Sequence, residues 1–236
     1  MAALVALALG AGGETTIAAP DCGGGLAKTR TLASGLDTLD SAIVDRRGQL
    51  FFTDRNGLLR LDRPGAKPRR VALYEEPGGL VLDGTGKLIA GSGNSIANGI
   101  VGDFTGPAKL LRIGPDTGAQ RVYATGLAMA NGLARDRDGT IYASNDFGSG
   151  IDRVRGGRTE RGWARVQSGN GLAIDTTGRY LYAAQTLVPA AIRQVDLRDP
   201  SRTSDYVRPP LSGNSVPDAL PCYVDSDAAE RALVRR

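Results

Sequence analysis

Short apolar runs separated by polar turns recur along this chain. Four segments share a pattern of small or apolar residues, an Asp, a Gly three places later, and a second apolar run. They begin at Asp40, Gly78, Asn131 and Asn170, and the last two read NGLARDRDGTIYAS and NGLAIDTTGRYLYAAQ. Asp-x-x-Gly favours a tight turn, because Asp can bond its own backbone and Gly tolerates positive φ. Each segment therefore predicts strand, turn and strand.

A second pair of apolar runs follows each of these segments. Examples are LLRLDRPGAKPRRVAL and AIRQVDLRDPSRTSDYV, with turns that contain Gly, Pro or Asp. Each repeat thus offers about four strands, and the starts at residues 40, 78, 131 and 170 lie 38, 53 and 39 residues apart. Four-stranded repeats of this length are typical of β-propeller blades. A β-sandwich with similar turns is the alternative, although a sandwich does not require one Asp and Gly register in every hairpin pair.

The pattern weakens at both ends of the chain. A fifth unit begins near Gly213 and contains Asp218, 48 residues after Asn170, but Asp and Gly are absent five and eight places later. We therefore expect an all-β propeller with four complete blades and a partial fifth over residues 22–220, and an atypical tail over 221–236.

Residues 1–21 begin with an apolar run too short to span a bilayer. They resemble a secretory signal, which predicts a secreted or periplasmic protein, or else an Ala-rich tail.

Composition removes several kinds of chemistry. The 236 residues include no histidine and only two cysteines, Cys22 and Cys222. Catalysis by Ser-His-Asp or Cys-His and zinc held by histidine are therefore excluded. The net charge of +4 comes without basic runs interleaved with aromatic residues, so nucleic acid is not an expected partner. An enzyme of this composition would use carboxylates, amides, hydroxyls or lysine, with a metal that prefers oxygen.

In this register the chain resembles the SMP-30/gluconolactonase/LRE-like family of six-bladed propellers, over roughly residues 32–220. The resemblance is carried by ANGLARDRDGTIYAS, GNGLAIDTTGRYLYAAQT and SVPDAL. In that family one divalent ion, usually calcium or zinc, is held at the channel mouth by one residue from each of four blades. The resemblance implies Asp40, Asn131, Asn170 and Asp218 as the metal ligands, and Asp218 also as the catalytic base. All four occupy the first position of their repeat unit.

Two departures from the family pattern affect this expectation. The first-blade ligand of the family is normally Glu, and Asp40 is one methylene shorter. Past Asp218 the family continues through the rest of blade five and all of blade six, for which we find no counterpart. A truncated propeller with exposed blade edges would be prone to self-association. Cys22 and Cys222 could join the two ends, which the sequence leaves open.

The implied activity is metal-dependent hydrolysis of lactones or related esters, or an inactive truncated form of such an enzyme. Two carboxylates and two amide oxygens form a hard site that suits calcium. The alternative is a secreted propeller that binds a ligand or protein without catalysis. The segment GSGNSIANGIVGDFTG predicts a long loop over the channel mouth, where Asn94 and Asn98 could contact substrate, as could Asn145 in SNDFGSG. A small lactone or ester is the expected partner, and neither nucleic acid nor a membrane is expected.

Overall fold

The computed structural model describes residues 31–187 and 190–207, and these form four antiparallel four-stranded sheets and one helix. Each sheet is made of consecutive strands. The first sheet contains β1 (Leu39–Val44), β2 (Leu50–Asp54), β3 (Gly57–Leu61) and β4 (Arg69–Leu73), and the second contains β5 (Pro77–Leu82), β6 (Leu88–Ser92), β7 (Ala108–Ile113) and β8 (Gln120–Leu127). The third contains β9 (Leu133–Arg135), β10 (Ile141–Ser144), β11 (Gly150–Arg155) and β12 (Arg158–Arg165), and the fourth contains β13 (Gly169–Ile174), β14 (Tyr180–Gln185), β15 (Ala191–Asp196) and β16 (Asp199–Val207).

The four sheets stack side by side through their first strands. β1 contacts β5, β5 contacts β9, and β9 contacts β13, while the outer strands β8, β12 and β16 also follow one another. This is the radial arrangement of successive propeller blades. The prediction of an all-β propeller with four complete blades is confirmed, and the sandwich alternative is wrong. Asp218, Cys22, Cys222, the fifth unit and both chain ends lie outside the described residues.

The Asp-x-x-Gly segments form the turn between the first two strands of every blade. In each, the Gly N–H donates to the Asp carbonyl at 3.0 or 3.1 Å. The four glycines have φ of 78°, 81°, 90° and 69°, a region that side chains rarely adopt. In the first turn Asp45 Oδ1 also accepts the N–H groups of Arg47 and Gln49, both at 2.9 Å. The tight turn predicted from the Asp and Gly positions is therefore confirmed, including the bonds between the Asp side chain and the nearby backbone.

Apolar side chains fill the space between neighbouring blades. The interfaces are centred on Phe51 with Leu88, on Leu110 with Ile141, and on Ile151 with Leu181, each fully buried. Burying one such side chain contributes roughly 1.5–3 kcal/mol. Trp163 belongs to the third interface, where its ring centroid lies 4.7 Å from that of Tyr142. The expectation that Trp163 serves packing is therefore confirmed.

One local prediction was wrong. The segment expected to form a long loop contains helix α1 (Ile96–Thr105). The Ser95 side chain caps its start by accepting the Asn98 N–H at 3.3 Å, and Gly106, with φ of 60°, ends it. The residues of α1 that face the protein are Gly99 and Gly102. The helix therefore does not pack through its apolar stripe, because Ile96, Ile100 and Phe104 lie on the exposed side. Within the described residues no helix is long and apolar enough to cross a membrane.

Candidate functional site

The first positions of the repeats lie at one end of the inner strands, which we call the mouth face. β1, β5 and β13 begin within one residue of Asp40, Gly78 and Asn170, and Asn131 lies two residues before β9. The Asp-x-x-Gly turns lie at the opposite end of the same strands. Because the inner strands contact one another in order, these four positions follow one another around the propeller axis.

Backbone links between blades hold the strand starts together. The Leu80 N–H of the second blade donates to Ser41 Oγ of the first at 3.1 Å. The Gly79 N–H donates to the carbonyl of Ala130, next to Asn131, at 3.2 Å. These bonds join the first blade to the second and the second to the third within two residues of each first position.

Ser144 links the third blade to the fourth. Its hydroxyl accepts the Gly132 N–H at 2.8 Å and donates to the Asn170 carbonyl at 2.5 Å. Asn131 is tied to the same residue, because its N–H donates to the Ser144 carbonyl at 3.3 Å. Asn131 and Asn170 are thus positioned by one fully buried serine. The structure thus places the backbones of Asn131 and Asn170 next to each other, while their role as ligands stays a prediction.

Sequence reasoning missed Ser144, although a signal was present. Thirteen places after Asp40 stands Thr53, and thirteen places after Asn131 stands Ser144. In the first blade Thr53 Oγ1 accepts the Ser41 N–H at 3.0 Å, the same bond that Ser144 makes in the third. The other two repeats have Gly or Ala at this position. A hydroxyl residue thirteen places after the first position therefore identifies the two blades in which a side chain of the second strand binds the backbone at the start of the first strand.

The three described ligand candidates differ in their surroundings. Asp40 is exposed, Asn170 is half-buried and Asn131 is buried. The carboxylate of Asp40 acts on Tyr74, whose pKa is raised mainly by burial and further by the negative charges of Asp40 and Asp54. An anionic group therefore faces the mouth end of the first blade.

Asn94 lies beside the first position of the second blade, where Gly78 has no side chain. A Cβ added at Gly78 would lie 3.1 Å from the Cβ of Asn94. The Asn94 amide donates to the Pro77 carbonyl at 3.2 Å, whereas its Oδ1 is buried and has no hydrogen-bond partner among the described residues. A buried oxygen left unsatisfied costs about 1–3 kcal/mol. An amide oxygen of this kind can coordinate a cation or accept a hydrogen bond from a hydroxyl.

The other two predicted substrate residues have local partners. Asn98 donates to Glu76 Oε2 at 2.6 Å. Asn145 is 1% exposed and donates to the Gly99 carbonyl at 2.9 Å and to Asp103 at 3.2 Å. Asn145 therefore fastens helix α1 to the β10–β11 turn. Neither amide is directed at an open site by these contacts, and their substrate role stays a prediction.

Asp152 is a further buried carboxylate that the sequence did not single out. It accepts the N–H groups of Ala128 at 2.6 Å and of Gly162 at 2.8 Å, and it is 2% exposed. Burial raises the pKa of Asp152, and the nearby charge of Asp103 adds to the rise. Since Ala128 precedes Asn131 by three residues, Asp152 helps to fix the segment that delivers this candidate ligand.

The donors available at the mouth suit a hard cation in part. Asp40, Asn131, Asn170 and Asn94 supply one carboxylate and three amide groups, all with oxygen donors. Within the described ranges no three His, Cys, Asp or Glu side chains cluster as in a carboxylate-rich metal site. A cation here would thus be held by amide oxygens from several blades and by Asp40. The set agrees with the chemistry of calcium better than with that of zinc, which favours nitrogen and sulfur.

Comparison with solved structures places the fold among known propellers. A gluconolactonase from Xanthomonas campestris matches 80% of this chain with a TM-score of 0.64 and 18% identity. A calcium-binding regucalcin from Agrobacterium tumefaciens matches 71% with a TM-score of 0.50 and 15% identity. A virginiamycin B lyase from Staphylococcus aureus matches 80% with a TM-score of 0.57 and 15% identity. The expected resemblance to gluconolactonase-type propellers is therefore confirmed at the level of the fold.

The matched proteins are longer than this chain. It covers 68% of the gluconolactonase, 59% of the regucalcin and 61% of the lyase. No protein-family model matches the sequence, and no curated protein is significantly similar to it.

Proposed function

We propose that this propeller, which shares its fold with gluconolactonase and regucalcin, is a hydrolase of lactones or related esters that depends on a divalent cation, with calcium as the ion. The observation that carries the proposal is the position of Asp40, Asn131 and Asn170 at the mouth ends of inner strands that pack side by side. The backbone segments that carry these residues are held by inter-blade hydrogen bonds, which supports a site whose side chains start from fixed positions.

Each residue has a definite part in the proposed site. Asp40 supplies the negative charge, and the amide oxygens of Asn131 and Asn170 complete a weakly charged cation site. A cation bound there would polarise the carbonyl of a lactone or ester. Asn94, with its unsatisfied Oδ1, would bind the cation or orient a hydroxyl of the substrate. Asp218 is the proposed base that takes a proton from the attacking water.

The fold alone also allows lyase chemistry, since a virginiamycin B lyase matches it. That lyase is catalytically inactive when one of its histidines is replaced by alanine. The present sequence contains no histidine. Composition therefore favours hydrolysis assisted by a cation over a lyase reaction that needs an imidazole.

The decisive experiment combines calcium binding with turnover. We expect calcium to raise the melting temperature of the full chain by several degrees, because a ligand at 100 times its Kd stabilises by about 2.7 kcal/mol. Asn131→Ala and Asn170→Ala should each abolish most of this increase. Asn56→Ala is the matched control, since Asn56 is an exposed turn residue. Catalysis is tested with a panel of lactones and esters. Their hydrolysis is measured by the release of acid, with and without calcium.

The outcomes separate the alternatives. Calcium-dependent turnover that both asparagine variants lose supports the proposal. Calcium binding without hydrolysis of any substrate contradicts the enzymatic part and favours a propeller that binds a ligand without catalysis. A melting temperature that calcium leaves unchanged overturns the cation site itself.

A further inference from the structure

Exposed apolar side chains are concentrated on helix α1. Nine large apolar residues are exposed in the part of the chain that the structure describes. Four of them lie on α1 and a fifth, Phe147, lies in the β10–β11 turn beside it: Ile96, Ile100, Val101, Phe104 and Phe147. Phe104 is 84% exposed and Ile100 is 60% exposed. Clustering of this kind marks an interaction surface rather than scattered exposure.

The helix presents these residues outward because its inner side consists of glycine. A Cβ at Gly102 would overlap the carbonyl of Ala128, and one at Gly99 would press on Phe147 and Met129. The helix backbone therefore lies close to the blade, and its larger side chains have room only on the solvent side. In this ten-residue helix the glycines face the protein and the large apolar side chains face solvent, which is the reverse of the usual arrangement.

The helix is fixed to the protein by polar contacts at its inner side. Asp103 is its one charged residue, and it accepts the N–H and the hydroxyl of Ser149, both at 2.9 Å. Asn145 donates to the Gly99 carbonyl at 2.9 Å. The outward side of α1 thus carries no charge, and it is held in one orientation on the mouth face.

Other blades extend the apolar character of this face. Leu73 ends β4 and Leu187 follows β14, both at the mouth ends of their strands, and both are exposed. The turns at the opposite end of the propeller carry charged residues such as Arg46, Arg137 and Lys87. The mouth face also carries exposed charged residues, among them Arg55, Glu75 and Glu76, so its apolar part is the region around α1.

Basic residues flank the last turn of α1. The guanidinium of Arg161 lies at Gly106, where a Cβ would come within 2.7 Å of it. Arg165 lies at the mouth end of the same strand and pairs in register with Gly150, next to Ser149. Neither arginine forms an ion pair among residues 31–187 and 190–207. The acidic groups near these arginines are Asp103, which is bonded to Ser149, and the buried Asp152, whose pKa is raised by burial and lowered in part by the charge of Arg161.

We propose that the mouth face docks on an anionic phospholipid surface, with Ile96, Ile100 and Phe104 inserted at the level of the headgroups and Arg161 and Arg165 against the phosphates. An apolar helix side next to unpaired arginines is the combination that binds anionic interfaces. The apolar residues of the face also come from separate blades, and a lipid surface accommodates such a set without a complementary shape. This proposal replaces the sequence-based expectation of no membrane partner, which considered only segments that span a bilayer or carry a lipid.

A tryptophan reporter tests insertion directly. Phe104→Trp in the full chain is expected to shift its fluorescence to the blue on addition of vesicles of phosphatidylglycerol and phosphatidylcholine, and to be quenched by brominated acyl chains. Val122→Trp is the control, because Val122 is exposed on the side of the second blade and not at the mouth. The native Trp163 is buried and contributes a constant background.

Vesicle flotation then tests whether the helix is responsible. Ile100→Asp and Phe104→Asp should each lower the partition coefficient onto vesicles by at least about tenfold. Each variant places a charge where an apolar side chain would be buried in the lipid. Val122→Asp should leave binding unchanged, and phosphatidylcholine alone should bind less than the anionic mixture. Equal flotation of the Phe104→Asp variant and the wild type would show that another segment binds lipid, and would overturn the proposal. A concentration-dependent dimer that Phe104→Asp disrupts, without any flotation, would assign the surface to a second copy and overturn it as well.

Discussion

At the scale of single residues, the mouth of the propeller depends on buried polar groups rather than on exposed ones. Ser144 and Asp152 are both almost inaccessible, and each accepts backbone N–H groups close to Asn131. A buried donor without its acceptor costs about 1–3 kcal/mol. These two side chains therefore decide where the third-blade asparagine lies.

Removing the hydroxyl of Ser144 should loosen the link between the third and fourth blades. Ser144→Ala leaves the Gly132 N–H and the Asn170 carbonyl without this partner, so we expect a loss of about 1–3 kcal/mol in the free energy of unfolding. The calcium-dependent rise in melting temperature should also shrink. Denaturant titration with and without calcium measures both effects. Ser201→Ala, at an exposed serine, is the control, and equal losses in the two variants would contradict the role assigned to Ser144.

Asp152 should give the protein a characteristic dependence on pH. Its pKa in the folded protein is raised by burial above the ordinary value of about 3.9. The folded state then binds this proton more tightly than the unfolded state, so the contribution of Asp152 to stability is lost as the pH rises through the folded pKa. The difference in free energy of unfolding between the wild type and Asp152→Asn should therefore fall as pH increases from about 4. Denaturant titrations at several pH values measure it, with the exposed Glu160→Gln as control. A constant difference would contradict the shifted pKa.

At the scale of elements, α1 is the one departure from repeated hairpins in the described chain. It follows β6 at the mouth face and rests on residues 128–129 through Gly99 and Gly102. A helix usually packs by burying an apolar stripe. This helix packs by close approach of its backbone, so its apolar residues are exposed to solvent. A single methyl group added at Gly99 or Gly102 would therefore be enough to displace it.

Gly102→Ala should displace the helix although alanine is the better helix former. The added Cβ would overlap the Ala128 carbonyl, and we expect a net loss of about 1–3 kcal/mol in the free energy of unfolding. Val101→Ala, on the exposed side of the same helix, should be neutral or slightly stabilising. Thermal unfolding of the two variants gives the comparison. A stabilised Gly102→Ala variant would show that the helix does not approach the third-blade segment this closely.

At the scale of the whole molecule, ion pairs link neighbouring strands and neighbouring blades, both at the mouth end and at the opposite end. Asp54 accepts two bonds from Arg70, and Asp116 of the second blade pairs with Arg47 and Arg60 of the first. Burial alone would raise the pKa of Asp54, but bonds from Arg70 and Asn56 outweigh it and lower the pKa. The pKa of Asp116 is lowered by its bond from Arg47. These carboxylates stabilise the folded state only while they are ionised.

The propeller should consequently be sensitive to acid. Stability from carboxylates with lowered pKa is present above their unfolded value and is lost as the pH falls below about 4. Asp54→Asn should lower the free energy of unfolding at pH 7 by about 1.5–3 kcal/mol, since it removes a charged partner of Arg70. The gap to the wild type should close in acid, which unfolding titrations from pH 7 to pH 3 would detect. The exposed Asp199→Asn should show a much smaller gap at pH 7.

The sequence by itself determined the blades of this protein, and it did so through local chemistry. Turn geometry depends on residues a few places apart, so Asp45 with Gly48, and the matching pairs in the other repeats, were sufficient to fix each turn and the strands on either side. The spacing of the repeats then gave the propeller and put Asp40, Asn131 and Asn170 at equivalent positions. The ligand roles of these residues, and that of Asp218, remain predictions.

Only the tertiary structure decided what surrounds those positions. The helical state of residues 96–105 depends on room beside Ala128, and the buried environment of Asp152 depends on neighbours 24 residues back and 10 residues ahead. Likewise, the outward direction of Ile100 and Phe104 follows from which side of α1 meets the blade. Contacts between distant segments set burial and orientation, and a one-dimensional pattern contains no record of which side of a helix will be covered.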